Sequence, residues 1–106
     1  MNTVSAPAAD AMRVAAAQAG GLLKALANPD RLMLLCQLAQ GEQSVGALEA
    51  ALDIRQPTLS QQLAVLRQEG LVATRRDGKQ IYYSVASPEA LAVLRLLYQL
   101  YCPKED

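Results

Sequence analysis

The two cysteines of this 106-residue chain, Cys36 and Cys102, are the side chains best able to do covalent chemistry. Histidine is absent, so the chain has no imidazole for a Ser-His or Cys-His pair and lacks the commonest metal ligand. In a reducing cytoplasm we expect two thiols, and a disulfide between them would be a signal rather than a structural link. Each thiol also has a plainer interpretation. Cys36 ends the apolar run LMLLC, where a small buried thiol is common, and Cys102 lies near the C-terminus, where an incidental exposed thiol is equally expected.

A second set of side chains has the types that read DNA. The periodicity predicts a helix from Gln56-Pro57 to Gly70, with an apolar stripe of leucines at 59, 63 and 66. At 100° per residue, this stripe turns Gln61 to the opposite side, places Thr58 and Ser60 on the flanks and leaves Gln62 nearer the core. Glutamine can bond adenine N6 and N7 together, and Ser or Thr can bond base edges or phosphate, which gives a weak preference for A·T pairs.

Basic residues are concentrated beside this helix although the net charge of the chain is zero. Residues 55–79 carry five basic and two acidic side chains, a local charge of +3 that the remainder balances with −3. Surface Arg and Lys often contribute only to solubility. Here, however, Arg76 and Lys79 flank a predicted hairpin tip, where basic side chains can contact phosphates or the minor groove. The predicted DNA contacts are Gln56, Thr58, Ser60, Gln61, Gln62, Arg67, Arg75, Arg76 and Lys79.

Composition and periodicity predict the helices that must position these groups. The apolar residues are mainly 18 Leu and 19 Ala, without Phe or Trp, which favours helices. Helices are predicted over residues 8–26, with an interruption at Gly20-Gly21, and over residues 29–40, 45–52, 56–70 and 88–101. The sequences NPD (28–30) and SPE (87–89) each provide a capping side chain, a first-turn proline and an acid, and Ser44 provides a capping side chain before the third helix.

After Gly70 the pattern changes to alternation over residues 71–76 and 80–85, and Asp77-Gly78 between them predicts a type I′ hairpin. A helix, the three-residue turn 53–55, a second helix and then a hairpin is the order of a winged helix-turn-helix. The predicted fold class is therefore mainly α with a β-hairpin wing (α+β). Four helices precede the wing and one follows it.

A single domain over residues 8–106 is predicted, after a disordered segment of residues 1–7. The last helix is apolar nearly all round, so with the first helix it is the predicted homodimer interface. No signal peptide or membrane span is indicated, which predicts a cytoplasmic bacterial protein that associates with the nucleoid when it is bound to DNA.

The chain resembles the ArsR/SmtB family of dimeric winged-helix repressors over nearly its whole length. The segments that carry the resemblance are LANPDRL (26–32), QPTLSQQL (56–63) and LRQEGLV (66–72). Metal sensors of that family hold ligands at two places, a Cys-x-Cys element at the start of the third helix or Asp and His in the last helix. This chain has SVGAL (44–48) and LAVLRLLYQLY (91–101) there, so the comparison predicts no metal site of either type and no cofactor.

A narrower resemblance is to the BigR/SqrR/YgaV/HlyU branch, through GEQSV (41–45), TLSQQL (58–63), TRR (74–76) with QIYY (80–83), and LYQLYC (97–102). It implies that Cys36 and Cys102 sense reactive sulfur species. The reduced dimer would bind an operator, expected as an A·T-rich inverted repeat, and repress genes for sulfide detoxification. Persulfides would bridge the two thiols within one protomer, through a disulfide or a polysulfide, and release the DNA.

Three alternatives stay open. The same repressor fold could respond to peroxide or quinones, or bind a thiophilic metal or metalloid through its two thiols. A thiol oxidoreductase is disfavoured because the chain has no Cys-x-x-Cys and no βαβ pattern. A winged helix used only for protein interaction is disfavoured by the basic wing and the Gln/Ser/Thr face. The sequence therefore predicts a regulator and not an enzyme.

Overall fold

The computed structural model describes residues 8–102, in which five helices accompany a three-stranded antiparallel sheet. The elements are α1 (Ala9–Leu26), α2 (Pro29–Ala39), β1 (Gln43–Ser44), α3 (Val45–Leu52), α4 (Thr58–Gln68), β2 (Val72–Asp77), β3 (Gln80–Val85) and α5 (Pro88–Tyr101). The predicted winged helix-turn-helix is confirmed. The segment 1–7, predicted to be disordered, and the last four residues of the predicted domain lie outside the described residues.

The helix starts follow the predicted capping chemistry. Asn28, Ser44 and Ser87 each accept a hydrogen bond from the backbone N–H three residues further on, at 3.0, 3.1 and 3.0 Å. Pro29 and Pro88 occupy the first turns of α2 and α5, where a missing N–H costs nothing. These local signals determine where α2, α3 and α5 begin.

The sheet has one strand more than predicted. Its order is β1-β3-β2, and β1 joins it by pairing Gln43 with Tyr83 and Ser44 with Tyr82. A two-residue strand has no periodicity of its own, because it exists only through its pairing with β3. It fixes the start of α3 to the hairpin formed by β2, β3 and their turn, which we call the wing.

The turn of the wing lies one residue later than predicted. Asp77 pairs with Gln80 as the last residues of the two strands, so Gly78 and Lys79 are the central residues of the turn. Gly78 has φ of 64°, whereas Asp77 is not in the left-handed region. A single glycine with positive φ at the first central position is the pattern of a type II′ turn, so the predicted type I′ turn is wrong.

Two helix predictions are also corrected. Gly20 and Gly21 do not interrupt α1, which is continuous from Ala9 to Leu26. Each glycine in a helix costs about 1 kcal/mol relative to alanine, and the many strong helix formers around this pair offset that cost. The connection between α3 and α4 spans residues 53–57 rather than 53–55, because α4 has Pro57 as its N-cap and begins at Thr58.

The core lies between α2, α3, α4 and the base of the wing. Its largest fully buried side chains are Leu34, Leu35, Leu48, Leu59, Leu63 and Leu66, and α5 adds Ala90 and Leu94 to the buried core. Helix α1 contributes only Ala25 and Leu26, at its last turn, to the buried core. An 18-residue helix is about 27 Å long, so most of α1 extends away from the core of its own protomer.

Candidate DNA-reading surface and thiol pair

Helix α4 presents the predicted polar face outward. Leu59, Leu63 and Leu66 are buried in the core, while Ser60 and Gln61 are exposed. Thr58 and Gln62, one turn apart on the same side of this face, are half-buried, and Arg67 is exposed in the last turn of the helix. Helix α4 is therefore the element of the helix-turn-helix that can enter a major groove, and we call it the recognition helix.

The first turn of the recognition helix is organised by Gln56. The backbone N–H of Ser60 donates to Gln56 Oε1 at 3.3 Å, and the Ser60 hydroxyl donates to the same oxygen. Gln56 thus satisfies one of the N–H groups that a helix start leaves without an intrahelical partner. Both side chains remain exposed, so the pair can still meet DNA, but Gln56 also has a structural partner that sequence reasoning did not foresee.

Arg75, predicted to contact DNA, is paired within the protein. Its Nε and Nη2 donate to the two carboxylate oxygens of Glu42 at 2.8 and 2.7 Å, and its guanidinium lies 4.7 Å from the centre of the Tyr82 ring. The hydrogen bond from Arg75 is the main reason that the pKa of Glu42 is lowered, and the same bond raises the pKa of Arg75. Asp77 adds a longer contact at 3.8 Å. The wing is therefore held against the segment before β1.

The other basic residues of this surface are free to meet an anion. Within residues 8–102, no carboxylate lies within ion-pairing distance of Arg67, Arg76 or Lys79. Arg55 has one long contact, 3.8 Å to Asp53, between two largely exposed side chains, which contributes little. Four cations beside the recognition helix and at the wing tip therefore remain available.

Arg31 is a connecting residue that the sequence analysis missed. Its Nε donates to the Ala25 carbonyl at 2.5 Å, its Nη2 to the Lys24 carbonyl at 3.3 Å, and its Nη1 to Gln62 Oε1 at 2.9 Å. One guanidinium thus bonds the last turn of α1 and the recognition helix. Arg31 lies within the LANPDRL segment, but no local pattern indicates a partner 31 residues away.

The two cysteines, 66 residues apart, line the same cavity. Cys36 is on α2, Cys102 is the C-cap of α5, and both are half-buried free thiols. The cavity has a volume of about 540 Å³, and Arg95 and Tyr98 of α5 also line it. A reagent of low molecular weight can therefore reach both sulfur atoms from one side.

Cys102 also influences the titration of Cys36. Burial, first, and the charge of the neighbouring Cys102, second, raise the pKa of the Cys36 thiol above its ordinary value. Cys36 is therefore mainly protonated at neutral pH, and its half-burial against the core agrees in part with the interpretation as a packing residue. A packing role does not explain why Cys36 lines the same cavity as a second thiol.

Within the described part of the chain, no group of three or more His, Cys, Asp or Glu side chains is arranged to hold a metal ion. None of the helices formed by these residues is long and apolar enough to cross a membrane.

The comparisons with known proteins agree with this geometry. The family model described as "Bacterial regulatory protein, arsR family" matches residues 28–74, which run from the cap of α2 into β2. The "Biofilm growth-associated repressor" of Agrobacterium fabrum is 57% identical over 96 residues, covering 91% of this chain and 82% of that protein.

Two solved structures are closely similar. The transcriptional repressor BigR from Xylella fastidiosa superposes with a TM-score of 0.83 at 46% identity, covering 92% of this chain and 100% of BigR. Reduced HlyU from Vibrio cholerae also gives 0.83 at 46% identity, covering 87% of this chain and 97% of HlyU. The chain therefore belongs to the ArsR family of bacterial regulatory proteins, on the branch that includes BigR and HlyU, and is a DNA-binding transcriptional regulator rather than an enzyme.

Proposed function

We propose that this chain forms a homodimeric repressor whose reduced form binds an operator and whose release is triggered when reactive sulfur species link Cys36 to Cys102. The observation that carries the proposal is the single cavity that both thiols line between α2 and α5. Neither a packing role nor an incidental thiol requires the two cysteines to line the same cavity, whereas a two-thiol sensor does.

The DNA side of the proposal rests on the recognition helix and the wing. Thr58, Ser60 and Gln61 in the first turns of α4, together with Gln56 just before the helix, face a major groove. Arg67, Arg76 and Lys79 bind flanking phosphates, and Gln62 and Arg75 support this surface through Arg31 and Glu42. The amide and hydroxyl side chains favour an A·T-rich site. The regulator therefore acts at the nucleoid.

A second copy of the chain is the proposed partner of α1 and α5. Met12 and Val14 on α1 are each 58% exposed, and Leu96 and Leu100 on α5 are 53% and 64% exposed. Apolar side chains in this number on two helices need a partner surface. A twofold dimer buries the same patch on both protomers and places two recognition helices toward two halves of an inverted repeat, about one DNA turn apart.

The proposed chemistry balances with a low-molecular-weight persulfide, RSSH, as the oxidant. The thiolate of one cysteine attacks the terminal sulfur of RSSH, which forms a protein persulfide and releases RS⁻. The second thiolate then attacks the cysteine sulfur atom of that persulfide and releases HS⁻, so a disulfide forms and RSSH is reduced to RSH and H₂S. If a second equivalent of RSSH first converts the other thiol to a persulfide and releases a second RS⁻, the terminal sulfur of one protein persulfide attacks the cysteine sulfur atom of the other, releases HS⁻ and leaves a trisulfide.

A bridge between α2 and the end of α5 has a mechanical consequence. Helix α2 packs on the recognition helix, and α5 carries part of the proposed dimer face. Linking the two sulfur atoms draws these elements together and alters the spacing between the two recognition helices.

The test measures intact mass and DNA binding on the same sample, reduced and then treated with glutathione persulfide. Hydrogen peroxide and oxidised glutathione serve as control oxidants. The DNA is a duplex that the reduced protein selects from a random library. The expected result is an intramolecular bridge, with or without added sulfur mass, together with loss of affinity for that duplex.

Matched variants assign the response to the two thiols. Cys36→Ser and Cys102→Ser are each expected to bind the duplex as the wild type does and to lose the persulfide response. A single-serine variant that still releases DNA would contradict the two-thiol mechanism. Release by peroxide rather than by persulfide would favour the oxidant-sensing alternative.

A further inference from the structure

We propose that Arg31 is a positioning residue that ties the dimer helix α1 to the recognition helix, with Gln62 as its acceptor rather than as a reader of a base. This inference rests on the DNA-binding part of the proposed function. It assigns Gln62, predicted as a DNA contact, a different task.

The first part of the argument is how Arg31 holds the end of α1. The last carbonyls of a helix have no intrahelical partner and lie at its partially negative end. Two carbonyls of the last turn, those of Lys24 and Ala25, accept hydrogen bonds from the Arg31 guanidinium at 3.3 and 2.5 Å, and the Lys24 carbonyl also accepts from the backbone N–H of Ala27 at 3.3 Å. The backbone N–H of Arg31 is itself fixed by the Asn28 cap at 3.0 Å. Arg31 is therefore anchored in the first turn of α2 and bonded to the last turn of α1.

The second part is the bond to the recognition helix. Arg31 Nη1 donates to Gln62 Oε1 at 2.9 Å, and both side chains are half-buried. A rigid, planar guanidinium can make all three contacts at once, which an ammonium group on a flexible stem cannot reproduce. Gln62 can read adenine only by presenting both amide atoms to the base edge, and its oxygen is directed at Arg31 instead.

The consequence concerns discrimination between DNA sequences. Helix α1 carries part of the proposed dimer face, so its last turn moves with the dimer. Because Arg31 bonds both helices, the position of α4 follows that of α1, and this determines where Ser60 and Gln61 meet the base edges. Loss of the tie leaves the phosphate-binding cations in place. It therefore reduces preference for a selected duplex more than it reduces binding to random DNA.

The test compares the same substitutions at Gln62 and at its exposed neighbour Gln61. The probes are a duplex of about 30 base pairs selected by the wild type, long enough for two half-sites, and a random-sequence duplex of equal length. Gln62→Glu keeps an acceptor for Arg31, so its preference for the selected duplex is expected within about threefold of the wild type. Gln62→Met removes the acceptor, and its preference for the selected duplex is expected to fall about tenfold. A loss of this size corresponds to one charge-assisted hydrogen bond.

Gln61 provides the control because its side chain is exposed. There, Gln61→Glu is expected to bind DNA at least as weakly as Gln61→Met, since the new charge faces phosphate. If Gln62 instead reads a base, Gln62→Glu will show the same pattern as Gln61→Glu, and the inference is overturned. Arg31→Lys, which keeps the charge, is expected to lose preference without changing the salt dependence. A shallower salt dependence in Arg31→Met, which removes the charge, would mean that Arg31 binds phosphate, which also overturns the inference.

A second measurement without DNA separates this inference from the proposed function. Arg31→Met, Gln62→Met and the double variant are compared by thermal unfolding, and their effects on Tm are expected to be less than additive. Additive effects would show that the tie is absent. If the effects are coupled but the wild type binds neither duplex, the DNA-binding proposal has failed, and the role in DNA reading fails with it. If Arg31→Met does not fold, the comparison of Gln62→Glu with Gln62→Met still tests whether Gln62 is the acceptor of Arg31.

Discussion

The salt dependence of DNA binding can be worked out from the ion pairs of the structure. Four cations in each protomer, Arg55, Arg67, Arg76 and Lys79, lack a close carboxylate among the described residues, which gives eight in the proposed dimer. Each phosphate neutralised contributes about −0.9 to the slope of log K against log salt, so the expected slope is about −7. Affinity should then fall about 10⁴-fold between 50 and 200 mM salt.

Two substitutions should move this slope in opposite directions. Arg76→Ala removes two contacts from the dimer, so the expected slope is about −5.5. Glu42→Gln weakens the hold on Arg75, which becomes available to phosphate, and the slope should steepen toward about −9. Fluorescence anisotropy with a labelled duplex at several potassium chloride concentrations gives each slope.

The control is Arg13→Ala on α1, where Arg13 is paired with Asp10 at 3.0 Å. Its slope should equal that of the wild type. An unchanged slope in Arg76→Ala would refute the assignment of the wing tip to phosphate binding. A shallower slope in Glu42→Gln would show that Arg75 does not compete between Glu42 and DNA.

Three further predictions concern the thiols, the dimer and the fold. The pH midpoint for alkylation of Cys36 by iodoacetamide should lie above the ordinary cysteine value. Cys102→Ser should lower that midpoint only part of the way, because burial still raises the pKa; an unchanged midpoint would mean that the thiols do not interact. The double substitution Leu96→Glu/Leu100→Glu should give monomers by sedimentation velocity and weaken DNA binding, and a persisting dimer would exclude this face of α5. Asn28→Ala should reduce the free energy of unfolding in urea by about 1 kcal/mol, whereas Asn28→Asp, which keeps the cap, should not.

The parts of the fold that could be predicted are those with local causes. The helix starts at Asn28, Ser44 and Ser87 depend on a side chain and a backbone N–H three residues away, and all three are confirmed. The leucine stripe of α4 and the hairpin likewise follow from short-range periodicity. The turn type does not follow from periodicity, because it depends on which of Asp77, Gly78 and Lys79 take positive φ, and only Gly78 does so.

The parts that could not be predicted depend on residues far apart in sequence. Strand β1 exists through pairing with β3, Arg75 meets Glu42 33 residues away, and Arg31 meets Gln62 31 residues away. No periodicity encodes such pairs. The placement of the two cysteines on one cavity belongs to the same class, and only the family resemblance indicated it in advance.

The positions of the aromatic residues give this protein two built-in optical reporters. The chain has no tryptophan, so its ultraviolet emission comes from four tyrosines, of which Tyr82 and Tyr83 lie on β3 and Tyr98 and Tyr101 on α5. The Tyr82 ring lies against the Arg75 guanidinium, and Tyr98 lines the cavity of the thiols. The double substitution Tyr82→Phe/Tyr83→Phe would leave emission from α5 alone, and Tyr98→Phe/Tyr101→Phe would leave emission from the wing. Each pair of substitutions therefore isolates one end of the proposed switch for stopped-flow measurement without an added dye.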